Sequence, residues 1–360
     1  MKFMQQLQAL PQSLWLDNIT RDLLDSGTLR RYVDEFSVTG LTSNPTIFDE
    51  AIGATGVYDA AIRAKANAGA NGEALFVELA LEDLRRAADL FRPTFVTSGG
   101  LDGWVSMEVS PLLLDAAQAT VSAAKSIHRL ADRPNLYVKI PGSTAGLTAI
   151  EQSIFDGIPI NVTLLFSREH YLAAAQAYMR GIERRIAAGR DPKVSSVASL
   201  FISRWDRAVS AKVPAPLQNL LGIAIAQRAY RAYRELLESK RWRDLAAAGA
   251  RPQRLLWAST GTKDPKAPET LYVEALAAPD TVNTMPEKTL LAAATHGILK
   301  GVMARDGGDC EAVLGQFQGA GIDVEALAAQ LQQEGGRSFV KSWNELLERI
   351  ASKSQALTGT

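Results

Sequence analysis

The sequence predicts a closed (β/α)8 TIM barrel with additional helices, and three observations carry that expectation. About eight short apolar runs of strand character occur along the chain, each followed by helical spacing, and such alternation builds a parallel sheet wrapped by helices. The length of 360 residues suits a barrel of this kind with additional C-terminal helices, spanning 1–360 as one domain. No low-complexity linker, short repeat or charge run divides the chain. An open doubly wound sheet is the alternative arrangement.

The first strand is expected in SLWLDNI (13–19), followed by a helix from 20 through 32 and beyond. VTGLTSNP (38–45) reads as the second strand with its loop, and two helical patterns follow, over 45–67 and 72–91. WVSMEVSP (104–111) is the third strand, and a helix over 114–131 leads into the fourth, LYVKIPG (136–142). A helix over 144–155 follows, with Ser143 or Thr144 as its N-cap. The fifth strand is IPINVTLLF (158–166), backed by a helix over 167–188, and the sixth is VSSVASLF (194–201). A long helical block is expected over 202–245, where Leu217, Leu220, Leu221 and Ala224 fall at helical spacing. LLWAST (255–260) and TVNTMP (281–286) are the last strands, and 287–354 reads as helix with glycine breaks near Gly307 and Gly319.

Composition narrows the function classes. Lys plus Arg and Asp plus Glu both number 39, so no overall field points to nucleic acid, a membrane surface or a polyanion. Any anion site must be local. The single cysteine, Cys310, rules out an internal disulfide and fits a reducing compartment. The first residues, MKFMQQLQALPQSLW, are too polar for the apolar centre of a signal peptide, and no run approaches a membrane span. A cytoplasmic protein is expected, with monomer and homodimer both open.

Chemistry is expected at the C-terminal ends of the strands, where inward polar residues of a barrel sit. Lys139 interrupts the apolar run of the fourth strand. An ammonium removed from water tends to lose its proton, and a neutral lysine is the nucleophile for Schiff-base formation with a carbonyl. The structural alternative is a lysine on an edge strand or one snorkelling along its own stem. Residues two apart share a strand face. Asp17 shares one with Trp15, Glu108 with Ser106 and Ser110, Asn161 with Thr163, Ser199 with Phe201, and Ser259 with Trp257, while Asn44 closes the second strand. Each has a structural reading of its own: Asp17 as a helix cap, Asn44 as turn chemistry before proline, Asn161 as a satisfied core amide, Glu108 as the ion-pair partner of Lys139. Together they favour a site, since a purely structural barrel has no reason to place a carboxylate or amide near the same end of most strands. The sequons at Asn18 and Asn161 are accidental in a cytoplasmic protein. His128, His170 and His296 each stand alone, and no Cys cluster, Walker loop or GxGxxG follows a strand, so a metal or nucleotide cofactor lacks its usual groups.

At these residues the chain resembles the transaldolase family. The matching stretches are LWLDNITRDLLDSG (14–27), GLTSNPTIF (40–48), SMEVSP (106–111), LYVKIPGSTAG (136–146), GIPINVTLLFS (157–167) and ASLFISRWD (198–206), in the family's order, with a looser match over WASTGTK (257–263). The resemblance implies an enzyme of the pentose phosphate pathway, without a cofactor. Such an enzyme moves a dihydroxyacetone unit from sedoheptulose 7-phosphate to glyceraldehyde 3-phosphate, giving erythrose 4-phosphate and fructose 6-phosphate. It places the Schiff-base lysine at Lys139 and the carboxylate that handles the proton of C–C cleavage at Asp17. Glu108 is the implied acid/base, working with Thr163 through a water during carbinolamine dehydration. Asn44, Asn161 and Ser199 match positions that hold substrate hydroxyls or the intermediate, and Arg204 matches a phosphate ligand. Where part of the family has a second phosphate-binding arginine, this chain has STGTK, which makes Lys263 the substitute, beside Ser259. The C-terminal third matches less closely, and its helices are expected to serve oligomerisation or as a lid. The alternatives are a fructose 6-phosphate aldolase-like enzyme that releases its unit, and a barrel that binds sugar phosphates without catalysis.

Overall fold

In the computed structural model of the chain, residues 2–359 are described. Among them eight strands form one parallel sheet: β1 (Ser13–Asp17), β2 (Val38–Thr42), β3 (Val105–Glu108), β4 (Leu136–Pro141), β5 (Ile160–Leu165), β6 (Ser196–Phe201), β7 (Gln253–Ala258) and β8 (Val282–Met285). Their spatial order is β2-β1-β8-β7-β6-β5-β4-β3. The two ends of that series meet: the Leu41 N–H donates to the Trp104 carbonyl and the Gly103 N–H to the Thr39 carbonyl, both at 2.9 Å. The sheet is therefore a barrel, which leaves no edge strand.

Gly40 makes this closure feasible. A Cβ there would lie 2.6 Å from the Trp104 carbonyl oxygen and 2.8 Å from Trp15 Nε1. Aromatic rings fill the barrel floor just below the future site. Tyr137 stacks on Trp104 with centroids 4.0 Å apart and lies 6.1 Å from Trp15, while Trp15 Nε1 donates to Asp102 at 2.8 Å. Packing at this level fixes the direction in which the next inward residues point.

Helices surround the sheet in chain order. α1 (Phe3–Ala9) precedes β1; α2 (Arg21–Asp25) and α3 (Thr28–Phe36) follow it; α4 (Pro45–Ala54), α5 (Asp59–Asn67) and α6 (Gly72–Thr97) follow β2. Next come α7 (Ala117–Ala131), α8 (Thr144–Asp156), α9 (Arg168–Ala187), α10 (Ser203–Val209), α11 (Leu221–Glu238) and α12 (Lys240–Ala247). The last four are α13 (Leu271–Ala275), α14 (Glu287–His296), α15 (Cys310–Gly319) and α16 (Val324–Thr358). Side-chain caps set many of their starts: Thr20, Asn44, Ser143, Ser167, Ser239 and Asp323 each accept a backbone N–H of the first turn. Among the described residues no helix is long and apolar enough to cross a membrane. The apolar core runs without interruption from Phe3 to Ile350.

The structure corrects several helix boundaries. The helix expected from residue 20 through 32 is two, because Gly27 takes a left-handed conformation (φ 74°) between α2 and α3. The block over 202–245 is three α-helices; Leu217 and Leu220 precede α11, whose first N–H groups, of Leu221 and Gly222, are taken by the buried Asp206 carboxylate at 2.9 and 3.2 Å. The helix begun at Gly72 passes through Pro93 to Thr97. The region 287–354 is interrupted over 297–309, a longer break than Gly307 alone implies, yet α16 continues through Gly335 and Gly336. The short helices α1 and α13 had no counterpart in the sequence pattern.

Replacing Gly40 with alanine forces Trp104 or Trp15 to move. The substitution is expected to destabilise the barrel by about 1–3 kcal/mol, read as a lowered urea midpoint with an unchanged slope.

Candidate active site

Lys139 is the fourth residue of β4, two beyond Tyr137, so it points into the barrel just above the aromatic floor. In register across the sheet it lies between Glu108 of β3 and Asn161 of β5. Registered residues of parallel strands project to the same side, which makes these three one polar row inside the barrel. Lys139 and Glu108 are 6% and 5% exposed, and Asn161 is fully buried. The edge-strand and snorkelling alternatives for Lys139 are thereby removed.

The Lys139 Nζ donates to the Ser43 carbonyl at 3.2 Å and lies 3.5 Å from Glu108 Oε2. Burial pushes the Glu108 carboxyl up to about 7, against the pull of Lys139; the Asp17 charge adds to the rise and Arg204 opposes it. A proton moved from Nζ to Oε2 turns this buried ion pair into a neutral amine beside a carboxylic acid. Glu108 Oε1 and Thr163 Oγ1 are both buried without a hydrogen-bond partner among the described residues. Asn161 is held on both sides: its Nδ2 donates to Ser106 Oγ at 3.2 Å, and Ser199 Oγ donates to its Oδ1 at 2.7 Å. Its partners are hydroxyls of β3 and β6, with one hydrogen bond on each amide atom.

Above this row lies a cavity of about 130 Å³ lined by Asp17, Asn44, Lys139, Thr163, Ser199, Arg204, Ser259 and Lys263. Eight of the ten residues expected from sequence thus share one wall surface, with Glu108 and Asn161 directly behind it. Asp17 ends β1 and accepts from Thr42 Oγ1 at 2.7 Å, and that hydroxyl also meets Thr284 Oγ1 at 2.8 Å. The helix α2 is capped by Thr20 instead, so Asp17 is not a cap. Asn44 does cap a helix, accepting from the Ile47 N–H at 3.2 Å, which leaves its amide nitrogen available toward the cavity.

A bulge shapes the wall at β5. The pairing with β6 slips between Val162 and Leu165, and Leu164 has φ 58°, unusual for a branched side chain. Thr163 sits at that slip. Ser259, also left-handed at φ 56°, meets the Ser203 hydroxyl at 2.9 Å. Arg204 follows Ser203, half-buried, with no ion-pair partner among the described residues; burial and then Arg207 hold its pKa below the ordinary value. Lys263 is exposed at the rim and is likewise without an ion pair among the described residues. Two unneutralised cations at one end of a polar cavity suit an anionic ligand.

Sequence reasoning missed Thr42, Thr284 and Phe339, which line the same cavity. The alternation test would have found Thr284, a polar residue inside the eighth strand. Phe339 carries no local signal, because it arrives on α16.

Chemically, the set can condense an amine with a carbonyl, move protons about the adduct and hold a phosphorylated polyol, as a class of aldol-type barrel enzymes does. The chain belongs to the transaldolase/fructose-6-phosphate aldolase family, whose sequence model matches residues 14–350. It is 43% identical to a protein named transaldolase from Thermobifida fusca over 99% of each chain. It is 44% identical to a transaldolase of Parafrankia sp. over 97% of each, and 43% identical to that of Mycobacterium tuberculosis H37Rv over 95% of this chain and 94% of the relative.

The raised Glu108 value makes folding depend on pH. Folded Glu108 keeps its proton up to about pH 7, whereas its ordinary value is 4.5, so between these the folded state binds more protons and stability falls as pH rises. The difference in unfolding free energy between the native chain and Glu108→Gln is expected to decline across that window and to be flat on either side. Paired denaturant titrations from pH 4 to 8 check this; a slope confined to higher pH would contradict it.

Proposed function

We propose that the chain is a transaldolase that transfers a dihydroxyacetone unit from sedoheptulose 7-phosphate to glyceraldehyde 3-phosphate through a Schiff base on Lys139. The observation that carries this reading is the buried Lys139–Glu108 pair facing Asp17 across one cavity. In this mechanism Lys139 Nζ attacks the ketose carbonyl after yielding its proton to Glu108. The protonated Glu108 then expels the carbinolamine hydroxyl as water, with Thr163 Oγ1 and Glu108 Oε1 supplying two otherwise unpartnered oxygens to guide it.

Asp17 takes the proton from the C4 hydroxyl. The C3–C4 bond breaks, its electron pair flows into the iminium to give an enamine, and the aldose phosphate departs. The acceptor aldehyde is attacked by the enamine carbon, and the same steps in reverse release the new ketose phosphate. Because the iminium is itself the electron sink, the reaction requires no cofactor. Asn44, Asn161 and Ser199 hold the hydroxyls of the polyol and its adduct, Arg204 grips the phosphate, and Ser259 and Lys263 complete that end. A guanidinium offers a fork where Lys263 offers a point charge, so Arg204 is the stronger ligand.

We read residues 1–360 as one domain, supported by the continuous core. Its partners on this reading are small sugar phosphates, in the cytoplasm, without nucleic acid or membrane. A homodimer or a monomer would serve the chemistry equally.

Borohydride reduction during incubation with fructose 6-phosphate is expected to fix a dihydroxyacetone-sized adduct on the peptide containing Lys139, and Lys139→Met to abolish both adduct and turnover. Absence of the adduct in the folded native chain would remove the Schiff base. Asp17→Asn separates the steps: ketose still adds to Lys139, while release of the aldose phosphate slows by about 10²–10⁴-fold.

A further inference from the structure

The C-terminal helix contributes to the site in a way that no motif on the strands announces. α16 is fastened to the barrel rim at one end and to α4 and α5 at the other. Near its start, Gln332 Nε2 donates to the carbonyls of Leu164, at the β5 bulge, and Gly142, just beyond β4, at 3.0 and 3.3 Å. Further along, Thr46 Oγ1 donates to Ser342 Oγ at 3.0 Å, Trp343 packs edge-on against Phe76, and Lys353 pairs with Asp59 at 2.7 Å. Between these anchors lies Phe339.

The Phe339 ring is 8% exposed and forms part of the cavity wall. Its centroid is 5.7 Å from Lys139 Nζ and 6.0 Å from Arg204 Cζ. The helix is brought this close by two adjacent glycines, which a helix interior otherwise disfavours. A Cβ on Gly335 would stand 2.9 Å from Leu164 Cδ2 and 3.2 Å from Arg204 Nη1, and one on Gly336 would stand 2.9 Å from Leu114 Cδ2. An apolar ring thus stands beside the amine, in a site whose other walls carry ten polar side chains together with Phe201, Ala258, Gly261 and Pro286.

We propose that Phe339 is a specificity-determining residue that keeps bulk water from the enamine, and so weighs transfer of the three-carbon unit against its release. The inference rests on the Schiff-base reading above. Two fates compete for the enamine. In transfer, its carbon bonds to the acceptor aldehyde. In release, that carbon takes a proton, water adds to the iminium, the C–N bond breaks, and free dihydroxyacetone leaves with the lysine amine restored. The water consumed balances the one expelled when the Schiff base formed. Water returns to the iminium at the end of either fate. Release alone requires the enamine carbon to take a proton before an acceptor arrives, and bulk water at the place where the ring of Phe339 stands would supply it.

The test measures a ratio. With fructose 6-phosphate alone, free dihydroxyacetone is followed; with erythrose 4-phosphate added, formation of sedoheptulose 7-phosphate is followed. In Phe339→Ala the ratio of release to transfer is expected to rise roughly tenfold, and in Phe339→Leu, which restores most of the apolar bulk, to fall back most of the way. Phe339→Val, which shortens the side chain and keeps it apolar, is expected to raise the same ratio by a smaller factor and serves if Phe339→Ala does not fold. A ratio unchanged in these variants, whatever happens to the total rate, overturns the proposal. Borohydride trapping on the native chain distinguishes the two failures: an adduct at Lys139 with an unchanged ratio removes the role of Phe339 alone, and no adduct removes the Schiff base beneath it.

Discussion

The structure turns on keeping an amine and a carboxylate together away from water. Either charge alone at 5–6% exposure would be strongly unfavourable, and each is tolerable because the other stands 3.5 Å away. That arrangement requires adjacent parallel strands in fixed register, since a slip of one residue would turn Lys139 outward among the helices. The stacked Trp104 and Tyr137, the Trp15–Asp102 hydrogen bond and the β2–β3 closure across Gly40 all hold that register. A closed barrel is well suited to the task because every strand is paired on both sides.

Around the pair, polarity is graded by depth. At the bottom the groups hold one another in place, as in the Ser106–Asn161–Ser199 chain. One level higher, Glu108 and Thr163 keep single oxygens unpartnered among the described residues, and Arg204 and Lys263 line the same cavity without an ion pair among those residues. Rigidity therefore belongs to the floor and unfilled bonding capacity to the mouth, which is where a substrate has to compete.

Much of this was legible in the sequence because strands of a parallel barrel are short apolar runs, and a polar residue inside one is conspicuous. Lys139, Glu108, Asn161 and Ser199 could be placed on one interior by alternation alone. Asp17 was open to a capping role until Thr20 took it, and Asn44 has both duties. Helix ends were less legible, because they depend on distant partners: Asp206 begins α11 from fifteen residues away. The β5 bulge leaves no mark on IPINVTLLF, and the reach of Phe339 to Lys139 joins parts of the chain that no local pattern connects.

The placement of α16 also gives the protein an order of completion. The lysine and its carboxylate belong to the third and fourth strands, whereas the Phe339 ring belongs to the last helix, Val324–Thr358. On a ribosome the interval between the two is on the order of 10 s or more. Until those last residues emerge the chain lacks the ring that stands beside the amine, and the enclosed chamber exists only when synthesis is nearly done.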